Sequence, residues 1–383
     1  KFLKGIFAFE VCDIKNKELF LARDRFGVKP LYYYHGPSTS SGQTKKLFVF
    51  SSEIKAILEH DIKREIDLDA VNYYFRLMYV PAPLTMFKNI YKLPQAHYLK
   101  LKDNKIEIKP YWDIKDFSNI ESREEIIGKI HDLMRQSVRG QLISDRPVGV
   151  FLSGGIDSTS VLGVSREFLS GDIKTFSVGF DIDDPNNKFN ADIVLARETS
   201  KFYNTKHHEL IISEKDILDN IEKVIYHLDE PIAEPTQTAT FLLSEMAKKE
   251  VTVVLGGDGG DELFGGYKRY YYSHILSKYL PIIPSFLKTR IYAKFMFQKE
   301  AEIAKILNRD INQIGLTNKF FKDNYFKASK GVVRAPKERF FMLTDLNTWL
   351  VDESLMRTDK MTMAHGLEQR VPILDHHLVE LSV

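Results

Sequence analysis

Between residues 148 and 255 the chain alternates short apolar runs with amphipathic stretches, and this alternation restricts the available folds more than any other feature. Strand-like Val148–Leu152 precedes helical patterning over Asp157–Phe168, strand-like Ile173–Phe180, helical Asp192–Phe202 and strand-like Lys206–Ile211. Helical patterns at Ile217–Leu228 and Thr236–Lys249 and a strand-like run at Val251–Leu255 complete it. Strands and helices alternating at these lengths predict an α/β fold, a parallel sheet flanked by helices with ligand at the C-terminal ends of the strands. Another helical pattern, Glu124–Leu142, leads into the first strand.

Upstream, residues 5–113 read as strand-rich. Phe7–Val11 and Leu19–Arg23 can pair across Asp13–Lys17, and Leu31–Tyr34 and Leu47–Ser51 flank the Ser/Gly-rich surface loop Gly36–Gly42. The pattern changes near Asn119, so two domains are expected, 1–113 and 119–383. After Tyr267 the chain reads as mostly helical through Phe340, and no internal repeat is visible.

Composition narrows the function. Of 383 residues, 44% are hydrophobic and 28% charged, which is globular rather than disordered. Lys and Arg number 54 against 52 Asp and Glu, so a net charge of +2 gives no bulk electrostatic case for a nucleic-acid or membrane partner. The single cysteine, Cys12, excludes an internal disulfide framework and a multi-thiolate metal site and favours a reducing, cytoplasmic compartment. Its setting between Val11 and Asp13 in a strand predicts a small buried hydrophobe. Lys1 is not Met, and the end, Asp375–Val383, reads as a helix without a C-cap, so a fragment is expected.

The junction at residue 153 carries the chemistry. Apolar Val148–Leu152 runs into Ser153-Gly154-Gly155-Ile156-Asp157-Ser158, where glycines permit a tight turn and a helix begins. Backbone N–H groups and the positive end of the helix dipole then make an anion site. A Walker A loop needs a Lys after its second glycine; here Asp157 stands inside the turn. A carboxylate facing polyphosphate is repulsive unless a divalent cation intervenes, so Asp157 implies Mg²⁺. The hexapeptide resembles the pyrophosphate-binding loop of ATP pyrophosphatases; the plain alternative is an ordinary glycine-rich turn.

Two further segments fall where the sheet would bring them. Val251–Leu255 leads into Gly256-Gly257-Asp258-Gly259-Gly260-Asp261-Glu262 and on to Gly265-Gly266-Tyr267, an acidic, glycine-rich rim that can supply the one or two carboxylates Mg²⁺ prefers beside phosphate oxygens. A structural calcium turn would need ligands at alternating positions and a distal bidentate Glu, a spacing this segment lacks. The third segment, Arg357 to Asp375, holds Lys360, Glu368 and Arg370. Taken singly, Lys360 reads as a solvated helix lysine, and Glu368 with Arg370 as an ion pair.

Together these segments resemble the glutamine-hydrolysing asparagine synthetases. Residues 147–158, 251–267 and 357–375 match the three synthetase motifs of that family, and Glu230-Pro231-Ile232-Ala233-Glu234-Pro235-Thr236 resembles its substrate-side segment. Phe7-Ala8-Phe9, Ala22–Tyr32 and Ser51–Ala56 resemble the later part of its N-terminal-nucleophile glutaminase domain. The resemblance implies a partial glutaminase domain followed by an adenine-nucleotide α-hydrolase-like domain. It implies ATP and Mg²⁺, with aspartate and glutamine or ammonia as small-molecule substrates, and leaves a homodimer open. It places nucleotide at Leu152, Ser153, Gly154, Gly155, Asp157, Ser158, Val178, Gly257 and Asp258, metal at Asp157 and Asp261, and catalysis at Lys360, Asp258 and Glu368.

Two departures matter. The family usually has Asp where Glu234 stands, which keeps open a related amide-forming enzyme, a β-lactam-synthetase-like cyclase or a sugar-acid amidotransferase. The family's N-terminal nucleophilic Cys and its glutamine-binding Arg and Asn-Gly segment have no counterpart in these residues, so glutamine use is expected only with an upstream part, and ammonia without one. A non-catalytic relative is the remaining alternative. Against it, a released site has no reason to keep mutually repelling carboxylates such as Asp157 and Asp261.

Overall fold

A computed structural model describes residues 3–38, 46–114, 122–182, 190–271, 302, 305–306 and 340–382. Most of the expected helical stretch from Tyr267 to Phe340 lies outside the described residues. The chain divides into two compact units: residues 1–116, 229–233 and 265–356 form the first, and 117–228, 234–264 and 357–383 the second.

In the first unit, β1 (Ala8–Asp13), β2 (Glu18–Arg23), β6 (His97–Lys102) and β7 (Lys105–Pro110) form an antiparallel sheet in the order β1-β2-β6-β7. A second antiparallel sheet has the order β4-β3-β5, from β3 (Tyr32–Pro37), β4 (Lys46–Ser51) and β5 (Ile90–Lys92). The alternating apolar residues Leu21, Tyr33 and Leu99 face a common core with Leu31 and Leu93. The hairpin β1-β2 forms across the turn expected from sequence, with Ala8 opposite Arg23. Cys12 departs from expectation: it is exposed, because β1 is an edge strand whose last four residues face solvent. Helices α1 (Ile54–Leu58) and α2 (Leu68–Leu77) follow, the latter capped by the Asp67 carboxylate, which accepts from the N–H groups of Asp69 and Ala70.

A charged cluster ties distant segments into this unit. Lys92, fully buried, donates to the Val80 carbonyl at 2.5 Å and pairs with Glu230 at 2.6 Å and Asp352 at 3.8 Å. Asp352 in turn accepts from the Ala82 N–H at 2.7 Å. Asp352 belongs to a buried six-residue π-helix, Leu350–Leu355, that follows α9 (Phe340–Asn347) and runs into α10 (Met356–Met363). Such helices are rare and concentrate at functional sites.

The second unit is the predicted parallel sheet, in the order β10-β9-β8-β11-β12: β8 (Val148–Phe151), β9 (Lys174–Phe180), β10 (Lys206–Ile212), β11 (Val253–Leu255) and β12 (Glu368–Arg370). Helices α3 (Arg123–Gln141), α4 (Ile156–Phe168), α5 (Ala191–Phe202), α6 (Glu214–Leu228) and α7 (Thr236–Lys248) intervene, and Phe176, Leu243, Ala247, Val251, Val254 and Leu367 form a core. Helix α6 starts three residues before the apolar periodicity does, because Ser213 and Asp216 cap each other's backbone N–H groups at 3.2 and 2.8 Å. From β8 the chain builds outward through β9 and β10, then returns to β8's other side with β11. The order therefore reverses between β8 and β11, and ligands of doubly wound sheets bind at that crevice. Among the described residues no helix is long and apolar enough to cross a membrane.

Candidate active site

Both glycine loops leave the sheet at this reversal. Strand β8 ends at Phe151, and the next residue, Leu152, donates its N–H to the Phe176 carbonyl at 2.9 Å while its carbonyl accepts from the Ser177 hydroxyl. Val178, one residue on along β9, stands partly buried beyond it. Gly154 has φ +76, and a side chain there would collide with the Leu195 and Ala196 backbone of α5, so only glycine lets the loop close against that helix. The Ser158 hydroxyl lies 3.0 Å from that of Ser153 and receives the Ser153 N–H at 3.2 Å, which pins the turn at the start of α4.

The acidic rim packs directly on this turn. A Cβ on Gly257 would sit 2.7 Å from the Ser158 nitrogen and 3.1 Å from the Asp157 Cβ, and one on Gly260 would overlap the Asp157 carboxyl group. Gly260 opens the short helix α8 (Gly260–Phe264), which carries Asp261. Burial, then the Asp261 carboxylate, then that of Asp258, raise the Asp157 pKa above its ordinary value. Asp258 is also raised by burial, opposed first by the charge of Arg357, then by its own backbone N–H and the Gln369 amide, whose Nε2 donates to Asp258 Oδ2 at 2.5 Å.

The Asp261 and Asp258 carboxylates lie within electrostatic range of Asp157 beside the glycine turn, and Asp157 and Asp261 are the pair there that could hold a divalent cation. Among the described residues no three or more His, Cys, Asp or Glu side chains make a self-contained metal cage.

In the third segment, Lys360 is 3% exposed, three residues after Arg357 on α10. Glu368 pairs with Arg370 at 2.8 Å, and Arg370 also donates to the carbonyls of Gln141 and Ile143 at 2.6 and 2.7 Å. The structure thus brings Asp157, Asp258 and Asp261 together with both loops, and sets Glu368 in an ion pair at the sheet edge. Sequence reasoning missed two partners of Asp258, Arg357 and Gln369. The strand period of β12 was the available signal, since it puts Gln369 on the face opposite Glu368 and Arg370.

A doubly wound sheet with a glycine turn and an acidic rim at its topological switch point defines a nucleotide-binding type of α/β domain. The description "asparagine synthase" matches residues 129–383, and "glutamine amidotransferase domain" matches residues 1–112, so the chain belongs to the asparagine synthase family. It is 31% identical over 409 residues to asparagine synthetase [glutamine-hydrolyzing] 1 of Bacillus subtilis, covering 99% of this chain and 62% of that protein. Asparagine synthetase [glutamine-hydrolyzing] 3 of the same organism is 31% identical over 395 residues, covering 99% and 61%. The amidase chry2 of Gibberella zeae is 26% identical over 440 residues, covering 99% and 62%. The chain therefore spans about three fifths of the length of these relatives.

Proposed function

We propose that this chain forms the larger part of a cytoplasmic, glutamine-hydrolysing asparagine synthetase, and that its second unit activates the aspartate side-chain carboxylate with ATP. The observation that carries the reading is the seating of Asp157 against Gly260, which unites the glycine turn and the acidic rim in one site. The Ser153–Ser158 turn would bind the triphosphate through its N–H groups, and the strand ends at Leu152 and Val178 would flank the adenine. Asp157 and Asp261 would hold Mg²⁺, which, when bound, supplies charge neutralisation for the leaving pyrophosphate.

An aspartate carboxylate oxygen attacks the α-phosphorus, the α–β bridging bond breaks, and β-aspartyl-AMP and pyrophosphate result. Ammonia then attacks the acyl carbon, loses a proton, and releases AMP and asparagine. Asp258 and Gly257 would contact nucleotide and activated substrate, and Lys360 would stabilise the charge that develops at phosphorus or at the tetrahedral carbon. Glu368 would act through the same segment.

Incubation with ATP, Mg²⁺, aspartate and ammonium should yield AMP and pyrophosphate in equal amounts; ADP and phosphate would overturn the reading. Glu234, which accepts from the Thr236 N–H at 3.4 Å and hydroxyl at 3.3 Å at the start of α7, together with the amidase relative, supports a second reading in which a different carboxylic acid is activated. ATP–pyrophosphate exchange across candidate acids decides between them: exchange with aspartate favours the first reading, and exchange only with another acid the second.

A further inference from the structure

We infer that Gln369 is a positioning residue that fixes the direction of the Asp258 carboxylate. This rests on the reading above that Asp258 contacts the nucleotide and activated substrate. Strand β12 lies parallel to β11, with Val254 opposite Gln369 and Leu255 opposite Arg370. Side chains on a strand alternate in direction, so the Glu368–Arg370 pair occupies one face and Gln369 the other. The Arg370 bonds to the Gln141 and Ile143 carbonyls hold this short edge strand in register, and a slip of one residue would turn Gln369 away from Asp258.

On its own face Gln369 is 5% exposed, and its Nε2 reaches Asp258 Oδ2 at 2.5 Å. The loop backbone closes down on that bond. A Cβ at Gly256 would overlap Gln369 Nε2 and come within 2.7 Å of Asp258 Oδ2, so glycine at 256 is what leaves room for the amide. The terminal torsion of an aspartate is broad and roughly two-fold, and a bond to one oxygen selects a single orientation. The other end of the same amide, Gln369 Oε1, is buried without a hydrogen-bond partner among the described residues. A buried carbonyl in this state works against stability, a cost set against the bond that Gln369 Nε2 makes to Asp258.

The test is ATP–pyrophosphate exchange with Asp258→Asn, Gln369→Met and the double variant, with melting temperatures measured alongside. Met keeps the length and volume of Gln without donor or acceptor. Gln369→Met should lower the maximal exchange rate about tenfold, leave KM for ATP within about twofold, and lower the melting temperature, because the buried Asp258 carboxylate loses a donor. In the Asp258→Asn background the same change should cost nothing more. A Gln369→Met enzyme with full exchange, beside an impaired Asp258→Asn, would overturn the positioning role and spare the proposed function. Equal losses from Gln369→Met in both backgrounds would overturn it as well. A fully active Asp258→Asn would remove the role given to Asp258 and the inference with it. Should Gln369→Met fold poorly, Gln369→Glu serves: it sets carboxylate against carboxylate, should melt lower than the parent, and should regain that loss when combined with Asp258→Asn, which restores an amide–carboxylate bond. Failure to regain it would count against the pairing.

Discussion

Gly260 and Asp157 touch so closely that the α-carbon of one leaves no space for a methyl group beside the carboxyl group of the other. Two loops that begin on neighbouring strands are thereby locked at van der Waals distance. Gly260→Ala should displace the Asp157 carboxylate and lower ATP–pyrophosphate exchange by about 100-fold, the scale for misplacing a reacting geometry by about an ångström. Overpacking of this kind costs about 1–3 kcal/mol, which a denaturation midpoint will register. Full exchange activity in the variant would mean that the two loops do not act as one site.

Asp157 also makes a pH-dependent prediction. Burial and the neighbouring Asp261 and Asp258 carboxylates raise its folded-state pKa, so the folded protein binds this proton more tightly than the unfolded chain. The stability this gives is fully present below the unfolded pKa and is lost as pH rises through the higher folded value. Without metal, Asp157→Asn should therefore melt higher than the parent at pH about 7, and the difference should vanish as pH falls toward about 4. On the proposed reading that the Asp157 carboxylate holds Mg²⁺, adding Mg²⁺ with ATP at neutral pH should reverse the order. A metal-free difference that stays constant with pH would exclude repulsion at Asp157 as its source.

Asp261→Asn separates catalysis from folding at the rim. Thermal stability should be unchanged or slightly raised, while the rate of AMP formation falls by about two orders of magnitude or more. A protein that unfolds, with normal turnover in whatever remains folded, would make the acidic loop a stability element.

Lys92 calls for a different measurement. It is the cation facing both Glu230 and Asp352, at 2.6 and 3.8 Å, and all three side chains are buried. Lys92→Met removes that charge and leaves the carboxylates with uncompensated desolvation, a change that typically costs about 3–5 kcal/mol. Urea denaturation should show this loss, and Lys92→Met with Glu230→Gln should recover part of it. A neutral single variant would mean that the cluster contributes no net pairing energy.

Local chemistry was legible in the sequence, and distant pairing was not. The alternation from Val148 to Leu255 foretold the parallel sheet because each element carries its own apolar period, and the turn at Ser153 was readable because its glycines and Asp157 are contiguous. Cys12 was misjudged because a strand's apolar content does not reveal whether it lies at a sheet edge. The true start of α6 was hidden by relying on apolar spacing where the Ser213–Asp216 cap governs. Gln369 and Arg357 went unassigned because their importance comes from Asp258, about a hundred positions earlier in the chain. The grouping of residues 229–233 and 265–356 with the N-terminal strands left no local trace either, since it depends on partners such as Lys92 and Asp352.

That last grouping bears on synthesis at the ribosome. Residues 1–116 are synthesised before residue 352, yet the unit they belong to includes segments up to residue 356. Until Asp352 has left the exit tunnel, Lys92 lacks one of the two buried carboxylates it faces in the folded unit. A nascent chain stalled before residue 352 should therefore be more protease-sensitive over residues 1–116 than one stalled well beyond it.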